Sequence, residues 1–198
     1  MDPFHNFLDR ILHYPFARLI PIVGVILFVL LILHGLFAFS TRSGRDLSYR
    51  RRIWASLIYI AFWVFTTILA VTSFGSILLK SKMEHEALLI HVMAAGGFTA
   101  IMVAFAYWWN PAFGRPIVQY PDFEDSTTNG WWVARWSLWL VILSSLGVAA
   151  SMLFGMLPLF DTQQMLTSVA LHRYFGLTLV VGLLVHLYSL AIQWLGWR

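Results

Sequence analysis

Met165–Gly196 reads MLTSVALHRYFGLTLVVGLLVHLYSLAIQWLG. It is long enough to cross a bilayer as one helix, since a span needs ~20 mostly apolar residues. Three costly side chains interrupt it: His172, Arg173 and His186. Ionisable groups inside a span are expensive and mark function. The two histidines are fourteen residues apart. At ~100° and ~1.5 Å per residue, that spacing returns to within ~40° of the same face and separates them by ~21 Å along the axis. One helix thus presents two imidazoles on one face, one toward each leaflet. Glycines accompany both, as His172-x-x-x-Gly176 and Gly182-x-x-x-His186, each one turn from its histidine toward the bilayer centre. Such clearance suits a flat macrocycle stacked against the helix. The pattern predicts two stacked haems, each taking one axial ligand from this helix. The competing reading is two polar histidines bonded to neighbouring helices.

Composition agrees with a membrane class. Hydrophobic residues make up 60% of the chain and charged residues 11%, where a soluble domain carries ~25% charged. Ten Trp and sixteen Phe make it dense in aromatics. A chain of 198 residues predicts one bundle. It has no cysteine, which excludes disulfides, iron–sulfur clusters ligated by this chain and covalent c-type haem attachment. The N-terminus lacks a signal-peptide pattern, so the first span is expected to be retained. No nucleic-acid partner is expected; the lipid bilayer is the surrounding medium.

The expected fold is an all-α integral membrane bundle of five transmembrane helices. The spans run about 19–40, 53–79, 87–109, 130–157 and 165–196, making a bundle over 19–198. Ahead of it, residues 1–18 are an amphipathic interfacial segment, with Phe4, Phe7, Leu8, Ile11 and Leu12 at helical spacing. The first span has one ionisable group, His34, followed by Gly35, which leaves room beside a ring. The second has no ionisable residue and reads as structural packing, with many Ser and Thr. The third carries His91 one turn inside, followed by the small patch Ala94, Ala95, Gly96 and Gly97. His85 lies six residues earlier, ~240° round the helix, and is not expected to serve the same haem. The fourth opens on an aromatic belt of Trp131, Trp132, Trp136 and Trp139, with Arg135 placed to snorkel or to meet a propionate.

Five spans put the two ends on opposite sides. The N-terminal side carries Arg10, Arg18, Lys80, Lys82 and Arg173; the other carries Arg42, Arg45, Arg50, Arg51, Arg52, Arg115, Arg135 and Arg198. The positive-inside rule therefore predicts the N-terminus outside and the C-terminus inside. Spans one, three and five then run the same way. His91 and His172 fall at the outer depth, His34 and His186 at the inner depth. Two histidines at each depth predict a bis-histidine di-haem arrangement, with His34, His91, His172 and His186 as iron ligands. Filled axial positions favour electron transfer over oxygen chemistry. Gly35, Gly176 and Gly182 are the expected clearances, and Arg173 the expected propionate contact.

The fifth span, with His172 and His186 in an HxxxG…GxxxH frame, resembles the di-haem cytochrome b subunits of respiratory formate dehydrogenases and nickel-iron hydrogenases, the bacterial b561-type group. The resemblance implies two haem b groups, with His172 and His186 shared ligands and His91 and His34 completing the pairs. It implies a multi-pass subunit of a bacterial or archaeal cytoplasmic membrane, part of an oxidoreductase complex rather than an enzyme alone. Such a subunit passes electrons between the quinone pool and a partner with iron–sulfur, multihaem, molybdenum or nickel-iron centres. It also implies a partner outside and a quinone near the inner haem. Two other classes compete: a transporter using intramembrane His and Arg, and a structural membrane anchor without haem. A transporter more often shows broken spans or repeats, and an anchor has no need of histidines matched in depth.

Overall fold

The structure, a computed structural model, describes residues 15–40, 53–80, 82–109, 129–157 and 160–195. The amphipathic pattern before residue 15, the basic loop 41–52 and the long loop 110–128 lie outside the described residues. Helix α1 is Phe16–Ser40 and α2 is Ile53–Ala70. A π-helical turn, Val71–Gly75, joins α2 to α3, Ser76–Lys80. Then come α4, His85–Trp109; α5, Asn129–Gly155; and α6, Thr162–Trp194. There is no strand among the described residues. Five helical stretches are long and apolar enough to cross a membrane, with α2, the π turn and α3 forming one of them. Over the described residues the chain is all-helical, with the five apolar spans of a multi-pass membrane protein.

The ends differ from the sequence expectation by a few residues, each for a local reason. α1 begins at Phe16 rather than near residue 19, because Phe16 is buried against Phe74 and Tyr174, at ring separations of 6.3 and 5.5 Å. α6 begins at Thr162 because Asp161 and Gln164 form a reciprocal cap. The Gln164 N–H donates to Asp161 Oδ1 at 2.8 Å and the Asp161 N–H to Gln164 Oε1 at 3.1 Å. α4 starts on His85, whose φ of 50° lies in the left-handed region that histidine adopts more readily than most residues.

Ring and hydrogen-bond pairs fix the helix directions. Phe16 meets Tyr174 and His34 meets Tyr188, so α1 and α6 run parallel. Tyr59 meets Phe105 and Phe62 meets Phe98, so α2 and α4 are antiparallel. α5 and α6 are antiparallel and form the main packed pair. The core is aromatic and aliphatic: Tyr59, Phe62, Phe98, Phe105, Leu138, Val141, Leu179 and Leu183. Phe62 and Phe105 stack at 4.1 Å with an interplanar angle of 11°. Gly97 admits the Phe65 ring, into which a Cβ would run directly. Hydrophobic burial is non-directional; these ring pairs and small residues are what select one arrangement of the helices.

A histidine pair across an intramembrane cavity

His91 on α4 and His172 on α6 face each other, with ring centres 6.4 Å apart and planes at 76°. Both line a cavity of about 300 Å³. The π turn and α2 form its floor through Thr66, Ser73 and Phe74; Val92 and Met156 stand at its exposed, lipid-facing edge. Gly96 and Gly176 line it too, and a Cβ at either would meet nothing within 4 Å. The glycine one turn from His172 does stand beside open space. Arg173 also reaches the cavity and is exposed.

Each imidazole is held by its Nδ1. The Thr72 hydroxyl donates to Ile68 O at 2.7 Å and lies 2.9 Å from His91 Nδ1. Its one proton being committed, it accepts from Nδ1–H. Thr72 sits in the π turn, a feature often found at functional sites. The second span, expected as packing, thus also orients the site. His172 Nδ1–H donates to Val148 O at 3.1 Å, with Ser151 Oγ at 3.3 Å. With Nδ1 protonated in both rings, Nε2 carries the lone pair. Metal-bound histidines are commonly oriented in this way, by a bond from the other ring nitrogen.

His186 repeats the arrangement. Its Nδ1–H donates to Ala134 O at 3.1 Å, with Ser137 Oγ at 3.2 Å. Both serines also donate to the carbonyl that the histidine uses, Ser151 to Val148 O at 2.8 Å and Ser137 to Ala134 O at 3.0 Å. Ser137 and Ser151 are fourteen residues apart, like His172 and His186. That matched spacing on the two antiparallel helices was readable in the sequence and is the signal that would have found them.

The remaining expected site residues take other surroundings. His34 lies against Tyr188, with rings 5.6 Å apart and Nδ1 2.9 Å from the phenol oxygen. Tyr188 is two residues from His186, ~200° round α6. His34 and His186 are therefore level in depth but face different sides of that helix. Beside His186 stands Tyr59, ring centres 6.3 Å apart, backed by Phe105. Gly35 gives Tyr188 its approach, since a Cβ there would sit 3.3 Å from the phenol oxygen. Gly182 packs α6 onto α5, its Cβ position 3.3 Å from Leu140. Arg135 and His85 are exposed.

Fold and site define a class, a multi-pass helical membrane protein with a paired intramembrane-histidine site. Set against family models, curated proteins and solved structures, the chain matches none.

Proposed function

We propose that this chain is a membrane-embedded haem b electron-transfer subunit of a respiratory redox complex, working between the quinone pool and a partner redox subunit. The observation that carries this reading is the His91–His172 pair across its cavity. His91 and His172 stand across an apolar cavity from one another, where the two imidazoles would hold a haem iron between them. Their ring centres are 6.4 Å apart. The donor set is two neutral imidazoles, each with Nδ1 protonated and anchored. Gly96 and Gly176 supply the clearance that a flat ring needs. When bound between His91 and His172, a haem b would supply reversible one-electron transfer. Thr72 and the Val148 carbonyl hold the ligands in place, and Arg173 offers a cation to a propionate at the cavity.

The packing supports one haem at this pair. At the inner depth the ring beside His186 is that of Tyr59, and His34 lies against Tyr188. By the loop charges, the cavity lies on the outer side and the C-terminal end is cytoplasmic.

The test is the purified chain expressed with full haem supply. A Soret band with sharp reduced alpha bands, one haem per chain, and loss of that haem in both His91→Ala and His172→Ala are expected. A colourless wild-type preparation would remove the reading in favour of a transporter or a haem-free anchor.

A further inference from the structure

The His91–His172 cavity reaches the end of the bundle at which α1 begins. Met156, one of its lining residues, lies past the end of α5 in the turn toward Asp161 and is 77% exposed. Leu153 and Val92, which also line it, are exposed as well. That end carries the charges of a head-group layer. Lys80 closes α3, Asp161 caps α6, and Lys82 pairs with Glu84 in the turn before α4. Hydrocarbon gives way to head groups at such a layer, so acyl chains are a poor cover for an apolar opening there. Arg173 stands at the same cavity and is exposed. Among the described residues no carboxylate pairs with it.

We propose that residues 1–14 of this chain close the opening, their apolar face on Met156 and their Asp9 carboxylate on Arg173. The inference stands apart from the haem reading, because cavity, cation and segment are the same with or without a cofactor. The tether places the segment. The Phe16 ring is buried against Phe74, which lines the cavity, and against Tyr174, next to Arg173. A proline disfavours helix in the residue before it, so Pro15 lets the chain leave the α1 axis and turn across the bundle end. At ~1.5 Å per residue, a helical Phe4 is ~18 Å from Phe16. That is about two helix-to-helix distances of ~8–10 Å, enough to cross from the seam of α6 and the π turn to α5. Asp9 falls ~10 Å along, within reach of a long arginine side chain. On the helical wheel Phe4, Phe7, Leu8, Ile11 and Leu12 cover an arc of ~140°, with Asp9 ~60° beyond its edge and Asn6 opposite. The carboxylate thus borders the apolar face where the cation stands. A guanidinium has five N–H donors, so Arg173 serves Asp9 and a propionate together.

The experiment uses introduced cysteines, since the chain has none of its own. The full chain in phosphatidylcholine nanodiscs is treated with a short bismaleimide. Leu8→Cys with Met156→Cys should cross-link within one chain at least tenfold faster than Asn6→Cys with Met156→Cys. Adding Asp9→Asn should slow the faster pair ~two- to fivefold, the size of a partly exposed ion pair. The swap of Asp9→Arg with Arg173→Asp should restore it. Equal rates for the two pairs overturn the docking, and a rate untouched by Asp9→Asn overturns the ion pair. A fluorophore on Leu8→Cys alone serves if Met156→Cys does not fold. Protection from lipids brominated on the acyl chain is expected, and strong quenching would show the segment lying in the bilayer surface instead.

Discussion

Gly176→Leu separates a cofactor cavity from ordinary helix packing. A Cβ at Gly176 meets nothing within 4 Å, and the residue borders a space of about 300 Å³. A leucine side chain adds four carbons, each near the ~30 Å³ volume share of a water, and so takes ~100 Å³, about a third of that space. The empty bundle should accept it without loss. Replacing a helical glycine with a better helix former is worth up to ~1 kcal/mol in soluble helices, and the added carbons fill a void. Haem uptake should suffer instead. Overpacking costs ~1–3 kcal/mol, which is ~5- to 150-fold in affinity. The assay is haem titration into detergent-solubilised protein, read at the Soret band, with thermal unfolding of the haem-free protein alongside. Gly182→Ala is the control, because its Cβ would press on Leu140 and Val141 at 3.3–3.4 Å and touch α5 instead of the cavity. It should lower the unfolding temperature and leave haem affinity within a few-fold. Full haem uptake by Gly176→Leu, with an unchanged reduced spectrum, would refute the placement of the ring.

Thr72→Val removes the hydroxyl that holds His91; loss of such a partner costs ~10- to 100-fold in metal affinity, measurable as faster haem loss to an acceptor protein. Gly97→Ala drives a Cβ into Phe65 and should destabilise the bundle by ~1–3 kcal/mol, seen as a lower unfolding temperature at normal haem content per folded chain. Ser137→Ala removes a contact to His186 in the core and should lower stability by ~1 kcal/mol while the haem spectrum stays as in wild type; a lost haem would instead show that His186 ligates. A reporter fused after Arg198 should be active in the cytoplasm, and a periplasmically active one there would reverse the topology.

The number of spans, their order and the depth of each histidine were legible in the chain itself. Apolar runs measure bilayer crossings, and ~1.5 Å of rise per residue turns sequence position into depth. His91 and His172 share a depth for that reason, and so do His34 and His186. Azimuth was not legible in the same way. Which side of α6 meets α1 depends on how Phe16, Tyr174 and Tyr188 pack against the first helix, and that packing set His34 on Tyr188. The mirrored glycines of α6 make the same point. In the sequence Gly176 and Gly182 are equivalent, each one turn from a histidine. In the fold one borders a cavity and the other bears on Leu140 and Val141. The Nδ1 anchors and the π turn beneath His91 likewise arise between helices distant in sequence. Helical periodicity specifies what lies on each face of one helix. Only the lateral packing of helices decides which faces meet, because that choice rests on side-chain shapes contributed by several segments at once.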